Sequence, residues 1–354
     1  MALCASTSIY ANVQDSLKSG INKGNMDLTV KPGKSFFNYV NGTWLKDTPI
    51  PAEYPSYGVT YLVYEQNQKR LKDIILSFAK QNNAPNSLGQ KIGDLYNIVM
   101  DSVKLNKDGI TPVKGLFGEI SAIKSRKQVL PLMAEFYHEG ISGLFYTSID
   151  ADAKDSKNNL VSIGQEGMTL SERSYYLDTD SESVALRDKY KKTIIDLFQL
   201  YGFSHAQAYA NMKTIINIET EMAKVAYSRT ELRDPEKNYH KICYNQLLKQ
   251  YPGIDWNTYF SILGIKGIKS LNVNQVAPIH QAEKILNNEP IENLKAYMQW
   301  NVIVSSCTEM NDEIRARAFD FFSRTLTGQQ EDRARWKRAV GAVESFMGEG
   351  LGKI

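Results

Sequence analysis

The sequence has four histidines that could bind a metal ion, and their spacing decides whether they could form a catalytic zinc site. Zinc hydrolysis from a helix needs two histidines at positions i and i+4, with a glutamate between them as general base to the bound water. The histidines here are His138, His205, His240 and His280, and no two of them are close in sequence. Glu139 follows His138, but Ser142 stands where the second histidine belongs and Gly140 interrupts the helix. The sequence therefore predicts no catalytic residue and no metal ligand in this chain.

The three cysteines, Cys4, Cys243 and Cys307, are scattered and form no CxxC pair. An odd number of distant cysteines favours free thiols over a disulfide framework. Residues 1–30 are rich in Ser, Asn, Gly and Lys without a clear period, which predicts an N-terminal arm. Two interpretations of this arm stay open. It is an ordinary start, or it is the remnant of a secretion or lipoprotein signal in which Cys4 would be lipidated.

Charge and hydropathy exclude several classes of function. The 354 residues include 42 basic and 39 acidic side chains, for a net charge of +3. This balance argues against a nucleic-acid partner, because such domains carry a marked basic excess. The basic cluster at 333–338 has Glu331 and Asp332 beside it, which is typical of a solvated helix face that pairs with acids. No run approaches about 18 apolar residues, so the sequence predicts no membrane span.

The elements that must position any site are mostly helical. Apolar spacing predicts helices over residues 59–81, 88–103, 127–138, 181–200, 204–229, 291–309 and 311–326, among others. Residues 143–152 and 159–163 instead alternate in part and are separated by polar residues, which predicts a small β-hairpin near 143–165. We therefore expect a mainly α fold, with a large multi-helix lobe and one small β element.

Two stretches receive more specific expectations. At Asn41–Gly42, both residues tolerate positive φ, so the sequence predicts a turn with Trp44 pressed over the bend. Near the other end, apolar residues recur at helical spacing at Trp336, Val340, Val343, Met347, Leu351 and Ile354. The chain stops on this stripe without a capping glycine or polar tail. We therefore expect a cut helix whose apolar surface around Trp336–Ile354 is exposed and promotes self-association.

Four motifs, in order along the chain, resemble the neprilysin-like (M13) zinc metallopeptidases of the bacterial endopeptidase O type. The first includes Phe36, Phe37, Tyr39, Asn41, Gly42, Trp44, Leu45, Ile50, Pro51, Tyr57 and Gly58, and the second Gly167, Leu170, Arg173, Tyr175, Tyr176 and Leu177. The third includes Glu219, Glu221, Ala223, Arg229, Arg233, Asp234 and Tyr239, and the fourth Phe319, Phe322, Leu326, Gly328, Arg335, Trp336, Lys337, Arg338, Val340, Val343, Gly348, Leu351 and Gly352. The resemblance covers about residues 28 to 354.

This resemblance implies how the chain is organised. Residues 1–30 would be the arm or signal remnant, 31–310 the helical N-terminal lobe, and 311–354 a helical connection toward a catalytic lobe that is missing here. Full-length members are zinc endopeptidases that cleave short peptides on the amino side of hydrophobic residues, and this lobe encloses their substrate cavity. The HExxH helix lies in the missing part. The resemblance therefore implies zinc only in full-length members and an inactive chain when alone.

The resemblance also suggests residues for the cavity or for contact between lobes: Tyr57, Gly58, Arg233, Asp234, Arg335 and Trp336. Some animal members hold a peptide's free carboxylate with an arginine just before the Tyr-Gly pair. Ser56 stands there, so that role is not transferred. Arg233, next to Asp234, is expected to anchor a loop through charge-assisted hydrogen bonds.

Two functions from different classes follow. The first is the non-catalytic N-terminal part of a zinc metalloendopeptidase, with the C-terminal catalytic lobe as partner and short peptides as substrates of the whole enzyme. The second is a stand-alone, degenerate family member that acts as a peptide-binding or scaffold protein. The sequence does not decide the compartment, although a periplasmic, cell-surface or secreted location is favoured over a cytoplasmic one.

Overall fold

The computed structural model describes residues 20–353, and most of them are helical. The first eight α-helices are α1 (Phe36–Asp47), α2 (Val59–Ala79), α3 (Leu88–Met100), α4 (Ser102–Asp108), α5 (Lys114–Ala122), α6 (Val129–His138), α7 (Ser174–Leu177) and α8 (Ser181–Leu200). The others are α9 (His205–Val225), α10 (Arg229–Leu232), α11 (Tyr244–Gln250), α12 (Trp256–Ile262), α13 (Val276–Asn288), α14 (Ile291–Ser306), α15 (Asp312–Phe319) and α16 (Arg335–Leu351). Short 3-10 turns lie at Lys23–Asn25, Thr111–Val113 and Arg126–Gln128, and a π-helical segment, Asp320–Thr325, follows α15. The predicted mainly α class is confirmed.

One sheet interrupts the helices. Its strands are β1 (Phe145–Asp152), β2 (Asp155–Gln165), β3 (Lys241–Cys243) and β4 (Ser270–Val273), in the order β1-β2-β4-β3. The predicted hairpin is confirmed as the antiparallel pair β1–β2. Strand β4 adds parallel to β2, with Val161 opposite Leu271, and β3 adds antiparallel to β4. The sheet therefore joins segments that are about a hundred residues apart in the chain.

The larger hydrophobic core is built around α8, α9 and α14, which pack against one another. Helix α9 starts with a capping box, in which Ser204 and Gln207 each accept a hydrogen bond from the other's backbone N–H. Ile215 of α9 and Trp300 of α14 are fully buried in this core. Its buried members all lie between residues 113 and 321, so the ends of the chain do not contribute to it.

A second, smaller core joins the two ends of the described chain. Its buried residues are Ile75, Ile92, Tyr96, Ala339, Val340, Val343 and Leu351, from α2, α3 and α16. We call these three helices the three-helix unit. Helices α2 and α3 approach closely at Gly93, where a Cβ atom would lie 2.9 Å from Ala79 Cα. This unit and the larger core are the two bodies between which the candidate site lies.

Two expectations from the sequence were wrong. The apolar stripe of α16 is not exposed, because α2 and α3 cover it: Val340 and Val343 are fully buried. Ile354 lies outside the described residues. No turn forms at Asn41–Gly42 either, since α1 runs through both residues. Gly42 serves close packing instead, because a Cβ there would lie 2.6 Å from the Cβ of Asp27.

Candidate functional site

A cleft of about 740 Å³ lies between the three-helix unit and the larger core. Apolar side chains contribute to its lining from α3, α4 and α16, namely Leu95, Ile98, Val99, Leu105 and Phe346. The charged lining residues are Glu309, Arg315, Asp332, Arg333, Lys337 and Arg338. The cleft therefore combines apolar surface with four cationic and two acidic side chains. It can therefore offer both kinds of surface to one ligand.

Asp332 organises two of the cations. Arg315 donates to it through two nitrogens, Nε at 2.6 Å and Nη2 at 3.1 Å, which is the strong fork geometry of an arginine and a carboxylate. Arg338 Nη1 lies 3.6 Å from the same carboxylate. Burial raises the pKa of Asp332, but Arg315 and Arg338 outweigh it, so the pKa stays below its ordinary value. One carboxylate is therefore shared by two guanidinium groups.

Arg338 is the least satisfied of these cations. Its side chain is 19% exposed, and its buried Nε has no hydrogen-bond partner among the described residues. Burial and the nearby charges of Arg315 and Arg335 lower the pKa of the Arg338 guanidinium. A buried cation with an unpaired donor is unfavourable, so a negative charge near this guanidinium would stabilise it.

Arg333 is held by aromatic rings instead of an acid. Its guanidinium carbon lies 5.6 Å from the ring centre of Tyr54 and 5.7 Å from that of Tyr64. Its Nη1 donates to the Tyr64 hydroxyl over 3.5 Å. No carboxylate pairs with the Arg333 side chain within residues 20–353. These cation–π contacts position the group and leave donors free for a ligand.

Tyr57 belongs to an aromatic cluster beside this arginine. The rings of Tyr54, Tyr57 and Tyr61 lie 4.9 to 6.0 Å apart between centres. The hydroxyl of Tyr57 donates to Glu65 over 2.9 Å, and that of Tyr54 donates to the same carboxylate over 3.2 Å. Gly58 is the N-terminal cap position of α2 in an extended conformation, and it makes no side-chain cap. The structure thus places Tyr57 and Gly58 near the cleft.

Arg335 and Trp336 contribute to the same region from α16. Arg335 pairs with Asp312 and donates to the Val99 carbonyl over 3.3 Å, so it ties the three-helix unit to α15. Trp336 packs against the smaller core, with Lys72 Nζ 4.4 Å above its ring. Both residues support the walls of the cleft without lining it.

Three of the four basic residues at 333–338 pair with acids, as the charge pattern predicted, but the cluster is not a solvated face. Lys337 pairs with Glu53 and lies 3.5 Å from Glu65, although its side chain is only 14% exposed. Burial raises the pKa of Glu65, but its bonds with Tyr57 and the Lys337 charge outweigh this effect and leave the pKa below its ordinary value. The positive charge of Lys337 is therefore neutralised by partners outside the cleft lining.

Arg233 and Asp234 lie elsewhere, beside the sheet. Asp234 Oδ1 accepts hydrogen bonds from the backbone N–H groups of Glu236 at 3.0 Å and Lys237 at 3.2 Å. The Arg233 side chain is exposed and makes no ion pair among the described residues. Of these two residues it is Asp234 that anchors the loop, and neither of them lines the cleft.

Glu219 was matched in a motif, but the sequence did not mark it as a special residue. It is fully buried on α9, and it accepts bonds from the hydroxyls of Tyr176 at 2.9 Å, Tyr190 at 2.8 Å and Thr169 at 2.6 Å. The Thr169 N–H donates to it as well, over 3.1 Å. Burial outweighs these bonds and raises the pKa of the carboxyl. The sequence did contain a sign of this buried carboxyl, because Glu219 interrupts the apolar stripe formed by Ile215, Ile218 and Met222.

The described histidines do not fit a catalytic zinc site. His138 Nε2 lies 2.9 Å from the carbonyl oxygen of Ile262, and His240 Nδ1 lies 3.0 Å from that of Val273. Within residues 20–353, no three His, Cys, Asp or Glu side chains form a group able to hold a metal ion. In the same range, no helix has the length and apolar character needed to cross a membrane.

Comparison with known proteins gives a consistent result. The family model described as Peptidase family M13 matches residues 32–354. Endothelin-converting enzyme 1 of Mus musculus is 26% identical over 346 residues, which is 93% of this chain and 44% of that protein. An endothelin-converting enzyme homolog of Locusta migratoria is 24% identical over 354 residues, covering 93% and 48%.

Solved structures agree with this match. The zinc metalloprotease Zmp1 of Mycobacterium tuberculosis, in complex with an inhibitor, superposes with a TM-score of 0.90 and 28% identity over 95% of this chain and 51% of that chain. PepO of Lactobacillus rhamnosis superposes with a TM-score of 0.75 at 18% identity, which shows a shared fold. The present chain spans about half the length of the relatives it matches.

Proposed function

This chain belongs to peptidase family M13, and from that premise we propose that it is the helical, non-catalytic N-terminal part of a zinc metalloendopeptidase. Its partner in this proposal is a C-terminal polypeptide that carries the zinc ligands. The helical lobe then limits access to the substrate cavity, so that short peptides enter and folded proteins do not. The location outside the cytoplasm stays a prediction from the sequence.

The main support for this proposal is the uneven distribution of exposed apolar side chains along the chain. Sixteen large apolar residues are exposed among residues 20–353, and twelve of these lie in residues 21–103 or at Phe346. The four others, Ile149, Val184, Tyr209 and Leu232, are dispersed over the much longer stretch between. Contiguous exposed apolar surface marks an interaction site. Because the exposed apolar residues concentrate in the three-helix unit and in the segment before it, these are the parts that we infer a second polypeptide would cover.

The test begins with the coding DNA beyond codon 354. An in-frame HExxH supports the proposal, and the polypeptide that contains it should bind the purified chain and restore zinc-dependent cleavage of a fluorogenic peptide. Val63→Ser, in the exposed face of α2 at 54% exposure, should weaken this association about tenfold, because a valine would no longer be buried on binding. Val184→Ser, at 41% exposure on α8, is the matched control and should leave it unchanged. Zinc-dependent turnover by the chain alone, or equal effects of both variants, would contradict the proposal.

A second candidate is a stand-alone peptide-binding protein, and the cleft itself favours it, because this chain builds the cleft without help. An immediate stop after codon 354 supports this candidate. Peptide binding by the isolated chain, without any gain on adding a zinc-binding polypeptide, separates it from the first.

A further inference from the structure

We infer that the cleft binds a peptide carboxylate, with Arg333 and Arg338 as its donors. This inference rests on the proposed function in one respect, the peptide nature of the ligand, and it adds the chemistry that selects among peptides. An acidic side chain and a free C-terminus are the two sources of this group, and the experiment below distinguishes them.

The charge balance of the cleft supports an anionic ligand. Arg315 is matched by Asp332, and Lys337 is matched by Glu53 and Glu65. Arg338 shares Asp332 at the longer distance of 3.6 Å, and Arg333 has no acid. Glu309 is the other acid in the lining, and among residues 20–353 it forms no ion pair with either arginine. Two guanidinium groups therefore lack a full counterion of their own. Both line the cleft, so they would attract an anion bound there and repel a metal cation.

The available hydrogen-bond donors indicate which type of anion fits the cleft. The Arg338 side chain donates no hydrogen bond among residues 20–353, since its nearest acid, Asp332, lies 3.6 Å away, and the Arg333 guanidinium makes one bond, to the Tyr64 hydroxyl. Guanidinium groups present planar, paired N–H donors that match the two oxygens of a carboxylate. The protein thus offers unused donors of the type that a carboxylate satisfies.

The apolar part of the cleft indicates what accompanies the carboxylate. Leu95, Ile98 and Val99 contribute to the lining from α3, and Phe346 contributes from α16. A ligand that fills about 740 Å³ beside these residues needs an apolar side chain next to its acid. A short peptide with neighbouring leucine and aspartate residues has this composition.

Three fluorescent, N-acetylated peptides test the inference by anisotropy with the full chain and without zinc. They are a Leu-Asp peptide with an amidated C-terminus, its Leu-Asn counterpart, and the Leu-Asn peptide with a free C-terminus. At least one carboxylate peptide should bind about tenfold more tightly than the Leu-Asn amide, the effect of a charge-assisted hydrogen bond. Tighter binding of the Leu-Asp amide assigns the group to a side chain, and tighter binding of the free acid assigns it to the terminus.

Arg333→Gln should abolish the roughly tenfold preference for a carboxylate peptide over the Leu-Asn amide. Arg333→Lys should retain part of this preference, because the positive charge remains. Arg324→Gln is the matched control, because Arg324 pairs with Asp320 and does not line the cleft. Equal binding of all three peptides, no binding of any, or an unchanged preference in Arg333→Gln would overturn the inference. The peptide comparison uses the unmodified chain, so it stands even if a variant misfolds. The association test of the proposed function is unaffected by these outcomes, so the two can fail separately.

Discussion

Replacing Glu219 by alanine is expected to destabilise the protein strongly, although the residue lies outside the cleft. Its carboxylate holds α7 and the segment before it against α8 and α9 through Thr169, Tyr176 and Tyr190. Trp300 extends this network, because its Nε1 donates to the Thr169 hydroxyl over 2.8 Å. Glu219→Ala removes the single group that accepts from all three of these side chains.

The magnitude follows from the donors that lose their acceptor. Three hydroxyls and one backbone N–H lose it, and a buried polar group without a partner costs about 1–3 kcal/mol. The full sum is not expected, because the variant no longer has to bury a carboxylate, and the raised pKa of Glu219 shows that this burial is unfavourable. We expect a net loss of about 3 kcal/mol in the free energy of unfolding. For a chain of this length, with an unfolding entropy of about 2.1 cal/mol/K per residue, this loss corresponds to a decrease of about 4 °C in Tm.

Urea denaturation followed by tryptophan fluorescence measures this loss, with Glu221→Ala as the control. Glu221 lies on the same helix, is partly exposed, and pairs with Lys224 one turn away. Removal of such a surface pair should cost less than about 0.5 kcal/mol. The comparison therefore keeps the helix, the residue type and the substitution constant, and it changes only burial and hydrogen bonding.

The pH dependence gives an independent check with a defined sign. Burial raises the pKa of Glu219 above its ordinary value of 4.5, so the folded state favours the protonated form. The stability that the carboxyl contributes is then fully present below pH 4.5 and declines as the pH rises through the raised value. The difference between the wild type and Glu219→Ala should therefore shrink with increasing pH. A Glu219→Ala variant as stable as Glu221→Ala, or a difference that grows with pH, would refute this reasoning.

Two further substitutions test contacts at other places. Gly42→Ala should destabilise the packing of α1 by about 1–3 kcal/mol, because its Cβ would overlap Asp27, whereas Gly118→Ala, with open space on α5, should be neutral or stabilising in thermal unfolding. Asp152→Asn should increase hydrogen exchange in residues 234–241, which the carboxylate holds through Tyr239 and a lysine, and the exposed Asp150→Asn should not. The lysine, a backbone N–H and the tyrosine lower the Asp152 pKa to about 2, so this stabilisation is present above pH 3.8 and is lost as the pH falls through 2.

Local periodicity predicted most helices and the hairpin, because each depends on side chains close in sequence. The turn at Asn41–Gly42 was wrong because glycine has two physical uses. One is positive φ, and the other is close approach between backbones, and only the position of Asp27 in space separates them. The division of the chain into residues 1–30, 31–310 and 311–354 stays a prediction.

The features that the sequence did not predict depend on contacts between residues far apart in the chain. The parallel contact of β2 with β4 joins Val161 to Leu271, and no local pattern specifies that register. The stripe on α16 was found correctly, but its covering helices, α2 and α3, come from the opposite end of the chain. A periodic pattern shows which face of a helix is apolar, and it does not show what packs there. The cleft could not be predicted for the same reason, since its walls come from both cores.

The cleft's cations are positioned before any ligand arrives, and this affects how tightly they can bind one. Asp332 fixes Arg315 in a two-point contact, and the rings of Tyr54 and Tyr64 both contact the Arg333 guanidinium. A long arginine side chain that is already ordered loses little further rotamer entropy on binding, so more of the hydrogen-bond energy remains as affinity. Removing the rings should therefore weaken carboxylate binding even though no charge is lost. This is the distinguishing consequence of a prearranged site, because a site that relied on charge alone would respond to the arginines and not to the tyrosines.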